Sequence, residues 1–490
     1  MNRLFLLFVT AATAFAGDWV TGGGNPWRSG LSDERGPASR EALVWQGTVS
    51  GIFGAPIYIW EGRLVTMRFQ SLEYAPIVCH DLATGETLWT RDFAGSHSRS
   101  LPIGFRDGRV YAINFQESQH DTLYALDAAD GHILWTGKVQ TWMSITESAT
   151  FADDGDLLVT APDFKIARVD CTTGDTVWAT SRVWPVTGSA DICVYDSTVY
   201  AYSGDIGSLY INAWDLATGR FKYKTRIVDT HPGGPLPQSA PMVGDDGIVY
   251  AHKPGDNITA LEDTGDSLRV LWTHEVSGGD SNYSVFAHFA VGPDRSVYCA
   301  SDFRIQRLDP DSGICRDSSP VLKDPTSVYF GVRMAIGADG IVYLTTGTSS
   351  SALYCLSCDL QILWADSLPN MNTSGPAIGN GCLAVSGAGT ALKVYRNAVA
   401  VSEQETSSRQ QFPLRAIHGP GGTRLRFSNP ASGTVTIRVF DACGRVLARD
   451  ERFRPAGPQE FAFPTSASGV AFAVVASGGR TAAVKFTQVR

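Results

Sequence analysis

The sequence predicts an all-β chain: a closed ring of small repeated sheets, then a compact sandwich of two sheets. Three observations carry that expectation. One unit ending in Trp returns along most of the 490 residues, at intervals of 43–49 positions. A short turn signal, Asp-Gly or a close variant, runs in phase with it. Gly is abundant at 50 residues, which suits short strands joined by tight turns better than long helices. Hydrophobic residues make up 43% and charged residues 18%, enough apolar matter for a core. The net charge of −9, with no basic stripe, excludes the usual profile of a nucleic-acid binder.

Residues 1–16 have the form of an export signal. Arg3 supplies the positive start, residues 4–9 are apolar, and Ala14-Phe15-Ala16 suits cleavage before Gly17. The run is too short to span a bilayer, and no later stretch approaches 18 apolar residues, so no transmembrane segment is expected. The nine Cys are odd in number and irregularly spaced. Cys355 and Cys358 form a C-x-x-C without a second pair or nearby His, so no metal site is expected there.

The repeat defines the first domain. Asp81-Leu-Ala-Thr-Gly-Glu-Thr-Leu-Trp89 returns as Asp127 to Trp135, Asp170 to Trp178 and Asp215 to Tyr223. A longer version ends at Trp272, a degraded one runs from Asp309 to Asp317, and a last one ends at Trp364. Turn signals stand at Glu61-Gly62, Asp107-Gly108, Asp154-Gly155, Asp196-Ser197, Asp246-Gly247, Asp294-Arg295, Asp339-Gly340 and Asn380-Gly381. They predict type I′ hairpins, which need positive φ. The Asp-x-x-Thr-Gly element marks a second hairpin, so each unit is a four-stranded propeller blade. The series are out of step at the ends. Trp45 has no hairpin before it, and the blade begun by Ser374 lacks its Trp strand. Residues 41–47 are therefore expected to supply the outer strand of the blade at 374–396 and close an eight-bladed β-propeller over 17–396. Trp45, Trp89, Trp135, Trp178, Trp272 and Trp364 read as inter-blade packing.

Polar residues recur in phase near the innermost strands: Arg99, Glu147, Asp191, Gln238, His288, Arg333 and Asn372. They fit a ring at one end of the axial funnel, either as a site for a protein, peptide or glycan or as a solvated channel of mutual ion pairs. Trp60, Trp142 and Trp184 fall outside the Trp phase and are candidates for a contact surface.

Tyr124-Ala-Leu-Asp127 through Trp135 resembles the pyrroloquinoline-quinone (PQQ)-type propeller repeat, and the resemblance extends over residues 40–396. It implies the propeller fold. For activity it implies one of two things: a quinone- and calcium-dependent dehydrogenase, or a non-enzymatic scaffold such as the propeller lipoprotein of the outer-membrane barrel-assembly machine. The adjacent cysteines common beneath the quinone are missing, as are the long insertions that build a substrate cavity. No catalytic residue is carried over and no cofactor is expected. The expectation is a non-catalytic binding or scaffold module, with a PQQ/Ca-dependent oxidoreductase as the alternative.

Residues 397–411 are polar and Ser/Gln-rich, as in a linker. Residues 412–490 alternate as short strands and predict an immunoglobulin-like β-sandwich with Leu425, Val435, Ile437, Val439, Phe461 and Val474 inward. This tail resembles the type A C-terminal sorting domain of the type IX secretion system. The shared residues are Asn429-Pro430, Gly433, Phe440-Asp441-x-x-Gly444-Arg445, Ser468-Gly469-Val470 and a basic end. Ala471-Phe472 and the Thr-Gln-Val-Arg ending depart from the family's aromatic after Gly-Val and its Lys-rich close. The resemblance implies type IX machinery as a partner and a secreted or cell-surface location reached through the periplasm.

Overall fold

The computed structural model describes residues between 18 and 488. It leaves out 397–413, the segments between consecutive blades (48–56, 94–97, 142–148, 183–190, 230–239, 277–288, 323–331 and 369–374) and short stretches elsewhere. Among the described residues every extended element is a strand. Contacts divide the chain into two units, 1–399 and 400–490.

The first unit is a β-propeller. Among the described residues it holds eight sheets, seven antiparallel ones of four strands and one of five with a single parallel edge pair. In chain order, blades 1 to 7 occupy residues 58–91, 98–141, 150–181, 192–229, 242–275, 290–318 and 332–368. Blade 8 joins three strands at 377–396 to the strand Leu43–Gly47, which pairs antiparallel with Leu392–Arg396. The fifth strand of blade 2 is Tyr74–Ala75, an excursion from blade 1 that runs parallel to Ser98–Arg99. Alternation places one apolar face of each blade against the next, and buried residues such as Tyr111, Phe151, Tyr250, Tyr298 and Tyr343 fill the gaps.

The inner hairpins are of two kinds, where the sequence suggested one. Blades 1, 2, 4 and 8 turn through two residues between paired positions. Glu61-Gly62, Asp107-Gly108 and Asn380-Gly381 carry positive φ at both residues, as type I′ requires, and blade 4 carries it at Asp196. In blades 3, 5, 6 and 7 five residues separate the paired positions. There the positive φ falls on Gly155, Gly247, Arg295 and Gly340 alone. Each of those four donates its amide three residues back, for example from Gly155 to the carbonyl of Ala152. The chain thus makes a wider turn before the left-handed residue.

Among the described residues the second unit has two antiparallel sheets. One orders Leu414–Gly419, Gly422–Asn429 and Gly457–Phe463; the other orders Val446–Arg454, Gly433–Asp441, Gly469–Ser477 and Arg480–Gln488. Leu425 and Phe427 from the first sheet share a core with Val435, Ile437, Val439, Ala473 and Val475 from the second, with Phe461 packed against it. Val474, expected inward, is only half-buried and sits opposite Arg438, while Ala473 and Val475 take the inner face. The run Val470-Ala-Phe-Ala-Val-Val475 is apolar at every position, so alternation there could not choose the register.

Candidate functional site at the axis and the rim

At the rim, most blades grip the next through a Trp. Trp89 lies over the Asp-x-x-Thr-Gly-like turn of blade 2 and donates its indole N–H to the carbonyl of Ala128 at 2.9 Å. A Cβ on Gly131 would lie 2.6 Å from that indole, and Gly131 has φ +75°, so only Gly fits beneath the ring. The same bond runs from Trp45 to Leu82, Trp135 to Cys171, Trp178 to Leu216 and Trp272 to Pro310, each over the next blade's turn glycine. The Asp that opens a turn accepts from amides two and three residues on, as Asp170 does from Thr172 and Thr173. These bonds hold its carboxyl below the usual range. Trp45 belongs to the closing strand, so the last blade grips the first in the same way.

Three exceptions have local causes. Blade 4 carries Tyr223 at the Trp position, and the Asp263 that opens the turn of blade 5 accepts from the Tyr200 hydroxyl of blade 4 at 2.6 Å. Blade 6 has Asp317 where a Trp would stand. Asp317 pairs with Arg307, which donates to the Cys358 carbonyl of blade 7 at 3.0 Å. Trp364 faces blade 8, whose outer strand comes from the other end of the chain and therefore brings no Asp-x-x-Thr-Gly turn. Its indole N–H finds no acceptor among the described residues, and its ring packs on Tyr395 at 5.3 Å.

At the axis, residues 18–37 form a strap that visits all eight blades in ring order. Trp19 exchanges backbone hydrogen bonds with Ile59 of blade 1, and the amide of Phe105 in blade 2 donates to the carbonyl of Val20. The Pro26 carbonyl accepts from the Thr150 hydroxyl of blade 3 and the Val194 amide of blade 4. Trp27 accepts from Val243 of blade 5, Ser29 from Val291 of blade 6, and Gly30 from Ile336 of blade 7. In blade 8 the Ser32 hydroxyl donates to the Ile378 carbonyl, and the Glu34 carboxylate accepts from the Gly381 amide. Arg28 sits mid-strap with φ +57°, unusual for a residue with a side chain. It is buried, donates from Nε to the Ile192 carbonyl at 2.7 Å, and pairs with buried Asp191 at 3.4 Å.

Of the seven residues expected at the funnel, the structure gives side-chain positions for two. Asp191 is the partner of Arg28, and Arg333, also buried, lines one axial pocket together with Arg28. Trp19, Gly22, Gly23 and Gly30 of the strap, with Met242 of blade 5 and Phe289 just before blade 6, complete much of its wall. Its free interior admits little more than a water-sized group. Arg99 lies at the start of the inner strand of blade 2, its side chain outside the described residues. Glu147, Gln238, His288 and Asn372 lie outside the described residues, as do Trp142 and Trp184. Trp60 packs against Phe105 in the blade core. Sequence reasoning missed Trp19, Arg28 and the whole strap. The available signal was a Gly-rich stretch, Thr21-Gly-Gly-Gly-Asn-Pro-Trp27, four residues after the expected export signal.

Two acids of the strap meet at the junction of blades 1 and 8. Asp18 accepts from the Glu61 amide, and burial pushes its carboxyl up to about 6. Burial also raises Glu34. Among the described residues no group of three or more His, Cys, Asp or Glu is placed to hold a metal ion. Cys355 is buried in a strand and Cys358 is exposed in a turn, both as free thiols. No described helix is long and apolar enough to cross a membrane.

A family model described as outer membrane protein assembly factor BamB matches residues 75–313. Over that segment the repeats are similar to the PQQ type. BamB from Moraxella catarrhalis superposes with a TM-score of 0.53 at 16% identity, covering 72% of this chain and 99% of that one. That likeness shows the propeller fold alone. The quinohemoprotein alcohol dehydrogenase of Comamonas testosteroni aligns with a TM-score of 0.46 at 12% identity, over 96% of this chain and 84% of that one. The serine/threonine-protein kinase AfsK of Streptomyces griseus is 27% identical over 235 residues, or 42% of this chain. The chain spans only 28% of that relative's length.

Proposed function

We propose that the protein is an exported, non-catalytic propeller that serves as a binding or scaffold module at the cell surface or outside the cell. One observation carries this reading: the chain's own strap runs around the described part of the axis, and the axial pocket that it lines with Arg333 is only water-sized. The fused rings of PQQ need a slot far larger than the water-sized space beside Arg28 and Arg333. A calcium ion needs six to eight oxygen ligands, whereas the charged side chains lining this pocket are guanidiniums and the nearby Asp191 is held by Arg28. The residues lining this pocket therefore do not fit a calcium–quinone site, and no reaction step is derived through one. The matching family model also names an assembly factor and not an enzyme.

The partner is a protein, peptide or glycan, bound on an exposed surface of the ring. The rim offers one such surface. Just before the gripping Trp, the outer strands present Val44, Leu88, Leu134, Val177, Leu271 and Leu363 to solvent. The registers skip these residues, so the strand bulges outward there.

The tail is an immunoglobulin-like sandwich that directs the protein to type IX secretion machinery. The sheet order, first, second and fifth strands in one sheet and fourth, third, sixth and seventh in the other, supports the immunoglobulin-like reading. Two experiments test the proposal. Purified protein incubated with PQQ and Ca²⁺ is expected to retain no quinone absorbance after gel filtration; retained quinone with dye reduction on alcohols would overturn the non-catalytic reading. A variant ending at residue 411, expressed in a type IX-competent bacterium, is expected to stay in the periplasm. Equal surface display of that variant would overturn the sorting role.

A further inference from the structure

We propose that the axial mouth of the propeller is a binding ring for an extended peptide, and that residues 18–37 are its resident ligand. This does not depend on the function proposed above. Seven amides on or beside the inner strands, of Ile59, Phe105, Val194, Val243, Val291, Ile336 and Ala338, donate to strap carbonyls. They come from six different blades. The ring thus recognises a main chain that runs once around its axis, by the strand-edge hydrogen bonding seen when a peptide adds to a sheet.

Specificity comes from four places where the strap's own residues are required. A Cβ at Gly36 would lie 2.6 Å from the Tyr343 ring, and one at Gly30 would lie 2.9 Å from the Ala290 Cβ. Trp19 is buried against blade 1. Arg28 reaches past the strap to the Ile192 carbonyl of blade 4 and the adjoining Asp191. The strap is also separable. It contains no Cys, so no disulfide ties it down. Its covalent link to the ring runs through residues 38–42. Everything else that holds it is non-covalent, as for a bound peptide.

The test uses the full chain with a protease recognition sequence inserted between the exposed Ala38 and Ser39, cut under native conditions. The released strap is expected to travel with the ring through gel filtration, and the melting temperature is expected to become concentration-dependent. A fluorescein-labelled synthetic peptide of residues 17–37 should then exchange into the ring. The same peptide carrying Arg28→Glu and Gly30→Val should bind at least about tenfold more weakly, or about 1.4 kcal/mol. Immediate loss of the strap with an unchanged melting curve would overturn the proposal. So would precipitation on cutting, or equal exchange of the two peptides.

Discussion

The rim and the axis of this propeller close the same ring by opposite means. At the rim, a Trp, a turn glycine and a turn carbonyl meet again and again, and most junctions repeat their neighbours. At the axis one strap passes every blade in turn, and side chains such as that of Arg28 make contacts that no other position repeats. A repeated contact spreads stability evenly, so the loss of one costs only that junction. A unique contact concentrates stability in single residues. Arg28 is the extreme case, because one guanidinium serves both the Asp191 carboxylate and the Ile192 carbonyl.

The largest effect should therefore come from the axis. Arg28→Leu removes the guanidinium that pairs with buried Asp191 and donates to the Ile192 carbonyl, and is expected to cost about 3–5 kcal/mol, measured by urea unfolding. A cost under about 1 kcal/mol would erase the distinction between the two regions. The rim should respond less, and uniformly. Trp89→Phe, Trp135→Phe and Trp178→Phe each remove one indole–carbonyl bond and some buried area. Each is expected to cost about 1–2 kcal/mol. Trp364→Phe should cost less than these three, because its N–H has no acceptor to lose among the described residues. If all four cost the same, the carbonyl bond is not what makes the grip.

How much of this was legible in the sequence follows the same division. The blades, their number and the gripping Trp residues show themselves through period and phase. The strap lies before the first repeat and has no internal period, so nothing in its sequence says that it runs around an axis. The role of Arg307 in blade 6, where Asp317 stands in the Trp position, was hidden for a related reason. Arg307 lies on the neighbouring strand Arg304–Leu308, out of phase with every gripping Trp, so the repeat gave it no mark. The funnel residues were visible as a phase. What the phase could not show is that the chain's own Arg28 would claim Asp191.

The smallest predicted effect sharpens the view of the strap's ends. Asp18 has a folded-state pKa of about 6, above its ordinary value of 3.8. The folded protein then holds a proton that the unfolded chain releases, so stability falls as pH rises from about 4 to about 6 and is level above that. Glu34 shifts in the same direction. Asp18→Asn keeps an acceptor for the Glu61 amide and removes the charge. It is expected to stabilise the protein at pH 7.5 by about 1 kcal/mol once solvent screening is allowed for. Melting curves of both proteins at about pH 3.5, below both pKa values, and at about pH 7.5, above both, check this. The gain should largely disappear at the lower pH, and an equal gain at both would assign it to something other than the carboxylate.

The central claim, that the strap binds the blades as one unit, is tested most directly by native-state hydrogen exchange. The amides of Ile59, Phe105, Val194, Val243, Val291 and Ile336 lie in six different blades and share only the strap as acceptor. In Arg28→Leu they should lose protection together, by a common factor, while the amides of the rim turns at Gly85, Gly131 and Gly174 keep theirs. If the six amides respond independently, or only Val194 near Asp191 responds, the strap is a set of separate local contacts and does not bind the ring as a unit.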